Sequence, residues 1–222
     1  MSLPVTALLV AKAPEPGRAK TRLAATVGND LAANIAAAAL LDTLDAVAAA
    51  PLAARVVALT GDLNEAASVT ELRERLASFT VIEQRGKDFA DRLANAHSDA
   101  GQRFGNNPVL QIGMDTPQVT AELLADCARQ LLESTAVLGL ALDGGWWLLG
   151  LQTPAAAERL RDVPMSRPDT GELTLKALHD NGIDVTLVQQ LADFDVIDDV
   201  PAVRAACSPH SRFARITRAA GL

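Results

Sequence analysis

Strand-length apolar runs alternate with longer helical patterns along nearly all of the 222-residue chain. That alternation is the mark of repeated β-α units around a mostly parallel sheet. The predicted strands are Val5–Val10, Arg55–Thr60, Thr80–Glu83, Val109–Ile112, Ala136–Leu142 and Val185–Val188. Between them, helices are predicted from Asn29, read as a cap, to Pro51, and over Glu65–Ala77, Asp88–Arg103, Thr120–Leu132 and Glu172–Asn181. Asp143-Gly144-Gly145 interrupts an apolar run that resumes over Trp146–Leu151, which predicts a hairpin or sharp bend. Gly182 closes the last of these helices, and Asp199 with Pro201 opens a further one. The expected architecture is one α/β domain over residues 1–222, a doubly wound, mostly parallel sheet. Residues 200–222, with four arginines and no acid, would form a basic helical extension.

Charge narrows the range of partners. Twenty basic against twenty-seven acidic residues give a net charge of -7, which opposes general attraction to nucleic acid or anionic lipid. Tyr is absent and only five Phe and two Trp are present, too few for base-stacking platforms. Cys127 and Cys207 have no metal or CxxC spacing and read as reduced cytosolic thiols, since no secretory signal opens the chain. The most apolar run, Ala32–Leu41, is broken by Asp42 and Asp45 and falls short of the roughly 18 residues of a membrane span. The expectation is a cytoplasmic protein that binds neither nucleic acid nor membrane.

The stretch Lys12-Ala13-Pro14-Glu15-Pro16-Gly17-Arg18-Ala19-Lys20-Thr21-Arg22-Leu23 directly follows the first strand. Ligands of doubly wound sheets bind beyond the carboxyl ends of strands, where strand order reverses. Four cations there, stiffened by two prolines in an otherwise acidic chain, read as a phosphate cradle. The alternative is a solvated basic loop. It is neither a P-loop, whose glycines would replace Pro14 and Ala19, nor a GxGxxG turn. In a sheet ordered 3-2-1-4, Gly113-Met114-Asp115-Thr116-Pro117 faces this loop. A carboxylate facing phosphates calls for a cation between them, and Mg²⁺ commonly takes one or two carboxylates with phosphate oxygens and water. The plainer reading of Asp115 is a turn-opening residue. Asp193 and Asp195 share one side of an extended chain, so either could complete a metal site, whereas Asp198 and Asp199 read as helix caps. Asp143 beside two glycines lets a ligand approach the backbone, with Trp146-Trp147 as an apolar wall or as core. No GxSxG or HExxH occurs, and His97, His179 and His210 lie far apart, which excludes hydrolase and zinc chemistry of those kinds.

KAPEPGRAKTRL resembles the signature of the radical-SAM/selenodomain-associated transferase family, and the similarity runs through almost the whole chain. Gln84-Arg85-Gly86-Lys87-Asp88 with Arg92 resembles that family's Gln-Gly…Asp…Arg segment. Gly113-Met114-Asp115-Thr116-Pro117 resembles its Gly-Ser-Asp-Cys-Pro, and Asp143-Gly144-Gly145-Trp146-Trp147 its Asp-Gly-Gly-Tyr-Tyr. Asp193-Phe194-Asp195 matches its closing Asp-Val-Asp. The resemblance implies a Rossmann-like nucleotide-diphospho-sugar transferase, or glycosyltransferase-A-like, fold. It implies donor phosphates at Lys12, Gly17, Lys20, Thr21 and Arg22, and the base or ribose at Gln84, Gly86 and Arg92. Asp115 would be the metal-binding Asp and Asp195 a second ligand for Mg²⁺ or Mn²⁺. Asp115, Lys20 and Asp143 would be catalytic, the last at the acceptor or the transferred group. Met114, Thr116, Leu140 and Met165-Ser166-Arg167 depart from the family pattern and leave the small-molecule acceptor open.

The expected activity is metal-dependent transfer from a nucleotide-activated donor, with glycosyl transfer from a nucleoside-diphosphate sugar leading. Nucleotidyl transfer with release of pyrophosphate is the alternative, because Lys20-Thr21-Arg22-Leu23 also resembles the loop of guanylyltransferases acting on 2-phospho-lactate. A third possibility is a non-catalytic nucleotide-binding protein on a retained fold.

Overall fold

A computed structural model describes residues 2–222. Strand β1 (Leu3–Lys12) is buried without interruption from Val5 to Ala11, the pattern of a strand covered on both faces. It pairs in parallel with β2 (Leu52–Thr60) and β4 (Val109–Gly113), and β2 pairs in parallel with β3 (Thr80–Glu83). Beyond β4 the direction changes. β6 (Trp146–Leu151) runs antiparallel between β4 and β5 (Ala136–Leu140), and the short β7 (Val185–Leu187) pairs in parallel with β5. The order β3-β2-β1-β4-β6-β5-β7 contains the expected 3-2-1-4 arrangement, so the carboxyl ends of β1 and β4 are neighbours. The hairpin expected at Asp143–Gly145 is present, closed by Ala141 N–H donating to Gly145 O at 3.0 Å.

Among the described residues the α-helices number eight: α1 (Thr21–Val27), α2 (Asn29–Ala49), α3 (Val69–Leu76), α4 (Phe89–Arg103), α5 (Ala121–Glu133), α6 (Thr170–His179), α7 (Val200–Ala206) and α8 (Arg212–Ala219). On one face of the sheet Leu40, Leu44 and Val47 of α2 and Leu124 of α5 meet Leu9 and Leu110. On the other, Leu93 and Ala96 of α4 and Leu178 of α6 meet Leu8 and Leu149. Burial contributes about 1.5–3 kcal/mol for each such side chain. A third cluster joins Leu23 and Ile35 to Phe194, Val203 and Phe213, with the two phenylalanine rings 4.7 Å apart.

Several local expectations are corrected. The basic loop ends in a two-turn helix, α1, that starts at Thr21. Asn29 is the first helical residue rather than the cap, and Gly28 at φ 85° makes the corner before it. The helix expected over Glu65–Ala77 divides at Ser68, whose φ is 56°, into a 3₁₀ turn and α3. Asp199 holds the N-cap position of α7 with Pro201 in the first turn, as expected, but its carboxylate makes no bond to that helix and instead accepts from the N–H groups of Asp195 and Val196, both at 2.9 Å. Helix α2 is long and apolar enough to cross a membrane, with mean hydropathy 1.5, but 67% of that span is buried inside the fold, as in a core helix. Its acids serve the C-terminal helices. Asp42 accepts from the N–H groups of Arg212 (3.0 Å) and Phe213 (2.9 Å), and the Arg212 guanidinium reaches Asp42, Asp45 and Glu71.

Candidate functional site

Two cavities open at the carboxyl ends of β1 and β4. The smaller, about 240 Å³, lies against the basic loop, and Lys12, Lys20, Thr21, Arg22, Asp115 and Asp195 all line it. The larger, about 610 Å³, shares Lys12, Arg22, Met114, Asp115 and Asp195 with it and extends to Gln84, Arg92 and Asp143. Most of the residues singled out in the sequence therefore meet in one place. Gly17 and Gly86 line neither cavity. Gly86, at φ 149°, lets its loop press on the start of α4, where an added Cβ would lie 2.8 Å from Arg92 N.

Lys20 is the hub. Its ammonium donates to Phe194 O at 2.5 Å and Asp195 Oδ1 at 2.7 Å, pairs with Asp115 Oδ2 at 3.1 Å, and lies 4.3 Å from the Phe194 ring centre. The Lys20 side chain is 7% exposed, against 39% for Asp115 and 42% for Asp195. Burial pulls the Lys20 ammonium down, but the charges of Asp115 and Asp195 outweigh it and hold its pKa above the ordinary value. Asp195 feels burial in the opposite sense, yet Lys20 and then Arg22 hold its carboxyl below the usual range. Asp193 lines the larger cavity too. Burial, followed by the Asp143 carboxylate, pushes it up to about 6 against the pull of Lys20. Asp193 thus sits where burial and a neighbouring carboxylate both oppose its charge.

The loop carrying Lys12 and Lys20 is fixed by Glu15, a residue that its sequence context did not single out. The buried Glu15 carboxylate accepts from Asp62 N–H at 3.0 Å and pairs with Arg18 at 3.4 Å. Gly61 is required beside it, since its φ is 86° and an added Cβ would lie 2.5 Å from Glu15 Oε1. Lys12 turns back to donate to Arg18 O at 2.7 Å. At the hairpin, Asp143 Oδ1 accepts from Gly145 N–H at 2.7 Å. Gly144 admits protein rather than ligand, since at φ 91° an added Cβ would lie 1.8 Å from Pro168 O, whereas Gly145 lines the larger cavity. Both tryptophans line the larger cavity, and Trp147 is also buried in the core, where it donates to Gln189 O at 2.9 Å. Gln84 spends both amide hydrogens on Ala11 O (2.8 Å) and Ala58 O (2.9 Å), leaving its oxygen as the group a ligand can meet. Arg92 lies 5.6 Å from the Phe89 ring centre and its buried Nε has no partner. Gln111, which carried no signal in the sequence, lies on the cavity floor.

Residues 43–167, more than half of the chain, match the family described as an uncharacterized protein conserved in bacteria, DUF2064. The chain belongs to the DUF2064 family. No curated protein matches it. Among solved structures, a Desulfovibrio desulfuricans G20 protein provisionally named a nucleotide-diphospho-sugar transferase is 23% identical, with TM-score 0.86 over 100% of this chain and 96% of its own. A Leptospira borgpetersenii cytidylyltransferase is 13% identical, with TM-score 0.59 over 99% and 94% of the two chains. Rv0371c of Mycobacterium tuberculosis H37Rv, in complex with manganese, is 18% identical, with TM-score 0.53 over 90% and 97%. These likenesses show that the DUF2064 chain has the nucleotide-diphospho-sugar transferase-like fold.

Proposed function

We propose that the chain is a transferase acting on a nucleotide-activated donor, with glycosyl transfer from a nucleoside-diphosphate sugar to a small-molecule acceptor as its reaction. The observation that carries the reading is the convergence of the Lys20 ammonium, from the smaller cavity, on Asp115 and Asp195, which line both. The likeness to a protein named as a nucleotide-diphospho-sugar transferase supports it.

The donor set fits a divalent ion that arrives with phosphates. Asp115 and Asp195 lie within reach of one ammonium and keep part of their surface open. Among the described residues no group of three or more His, Cys, Asp or Glu is arranged to hold a metal by itself. Two carboxylates completed by phosphate oxygens and water are a usual arrangement for Mg²⁺ and its relatives. Bound there, Mg²⁺ or Mn²⁺ would offset charge on the leaving phosphate.

The protein's own groups supply the rest. Lys12 and Arg22 face donor phosphate oxygens, and Lys20 fixes the two carboxylates while adding a positive charge beside them. The bound oxygen of Asp143 orients its carboxyl, so the other oxygen is available to an acceptor hydroxyl. Two free, buried thiols fit a reducing, cytoplasmic setting.

Nucleotidyl transfer is the second reading, favoured by the shared fold of the cytidylyltransferase. The test is a panel of nucleoside diphosphate sugars and triphosphates with Mg²⁺ or Mn²⁺, read by melting temperature and by released product. At 100-fold its dissociation constant a ligand contributes about 2.7 kcal/mol, roughly 5–11 °C for a domain of this size. Release of nucleoside diphosphate, lowered about 10²–10³-fold by Asp115→Asn, is the expected result. Pyrophosphate release from a triphosphate would transfer the assignment to the second reading, and no shift with any nucleotide would end both.

A further inference from the structure

Under the larger cavity lies a buried polar pair that the transfer chemistry leaves unused. Gln111 of β4 is 1% exposed yet lines the cavity. Its Oε1 meets Nδ1 of the fully buried His97, from α4, at 2.9 Å. Its Nε2 is buried and has no hydrogen-bond partner. Leaving a buried donor unpaired costs about 1–3 kcal/mol, and buried polar groups in native folds are otherwise nearly always satisfied.

The surroundings indicate what would satisfy it. Val10, Leu93, Phe89 and Trp146 line the larger cavity with Gln111 and are absent from the smaller one, whereas Lys20 and the rest of the basic loop's Arg18–Lys20 stretch line only the smaller. Apolar and aromatic side chains in the same cavity as an unpaired amide donor suit a flat heterocycle rather than a phosphate. We propose that Gln111 reads the edge of the donor's nucleobase, giving its Nε2 hydrogens to an acceptor atom there, and that His97 is the positioning residue that fixes the amide. The proposal rests on the nucleotide reading above.

Burial pushes the His97 imidazole down to about 4, so at neutral pH the ring is uncharged and makes one directed hydrogen bond to the amide. An Nδ1–H donating to Oε1 prevents the amide from turning its oxygen toward the ligand. Gln84 is the complement. With its two hydrogens engaged by Ala11 and Ala58, it offers the same cavity only an acceptor. A base edge bearing both an acceptor and a donor matches this pair.

The test is calorimetric titration of the full chain with GDP, CDP, UDP and ADP, and separately with pyrophosphate, all with Mn²⁺. Gln111→Met should weaken the preferred diphosphate about tenfold, narrow the spread among the four bases and leave pyrophosphate binding unchanged. His97→Leu should weaken the same nucleotide, and should add nothing in the Gln111→Met background, since its effect runs through the amide. Where Gln111→Met does not fold, Gln111→Glu carries the same expectation, for it keeps the oxygen facing His97 and replaces the donor. An unchanged base ranking, with affinity within about twofold in the folded variant, overturns the assignment to Gln111 and leaves the nucleotide reading standing. Failure of the unaltered chain to bind any of the four overturns both.

Discussion

Lys20 holds a left-handed backbone, φ 47° and ψ 51°, at a cost of about 1–2 kcal/mol for a residue with a Cβ. The contacts of its ammonium with Phe194, Asp195 and Asp115 compensate for that strain. Two substitutions separate the effects, since both delete the ammonium but only glycine relieves the backbone. Lys20→Gly is expected to be more stable than Lys20→Ala by about 1 kcal/mol in urea titration, while nucleotide binding falls equally in both. His97 gives a pH signature. Its folded pKa of about 4 lies below the 6.5 of a free imidazole, so between those values only the unfolded chain takes up the proton. Stability from this residue is therefore lost as pH falls through that window, by up to about 3 kcal/mol. The difference in urea midpoint between the unaltered chain and His97→Gln, compared at pH 7 and pH 4.5, should show it. No change in that difference would mean that the imidazole is not held neutral. The sequence displays Lys20 and Glu15 as two charges in a charged loop. That one is a buried hub and the other a buried anchor depends on partners in distant segments, which spacing does not encode.

At the scale of elements, the strand and helix alternation was readable because each segment buries a face large enough to leave a periodic pattern. Helix α1 was hidden because only Leu23 of its seven residues is buried. The antiparallel entry of β6 was half-readable: the Asp-Gly-Gly break announced a hairpin, but the place of β6 between β4 and β5 is a property of the sheet. The C-terminal extension shows how local charge misleads. Its arginines read as a basic extension, and Arg215 and Arg218 are exposed, yet Arg212 joins α8 to two acids of α2 and one of α3. Arg212→Ala should lower stability by about 1–3 kcal/mol, because it strips a partly buried carboxylate cluster of its counter-charge. Chemical denaturation measures this, and a loss below about 0.5 kcal/mol would reduce the network to surface decoration. If the extension also supports the site through Phe213 and Phe194, nucleotide affinity will fall in the same variant.

Over the whole molecule, the two cysteines report on separate parts of the core. Cys127 sits in the cluster on the α2 and α5 face, and Cys207 in the smaller cluster beneath α7 and α8. Burial, then Asp126 for the first and Asp42 for the second, pushes both thiols up to about 12, so neither is a thiolate at neutral pH. Alkylation at pH 8 should leave both unmodified in the native state. Under increasing urea Cys207 should be labelled before Cys127, because the smaller cluster has less apolar area to lose; simultaneous labelling by mass spectrometry would mean that the clusters unfold as one. The location of the site at the ends of β1 and β4 was legible because strand order and motif position follow general rules. Its electrostatic hub was not, because Lys20 and Asp195 are 175 positions apart in the chain. That separation bears on synthesis as well as on chemistry. The pairing of β1 with β2 can form early on a growing chain, whereas the Lys20–Asp195 contact must wait until Asp195 has left the ribosome, and the Phe194 ring beneath it waits longer still for Phe213. A ligand that depends on this cluster can therefore neither template the early collapse nor protect from proteolysis a chain that has not yet reached Asp195.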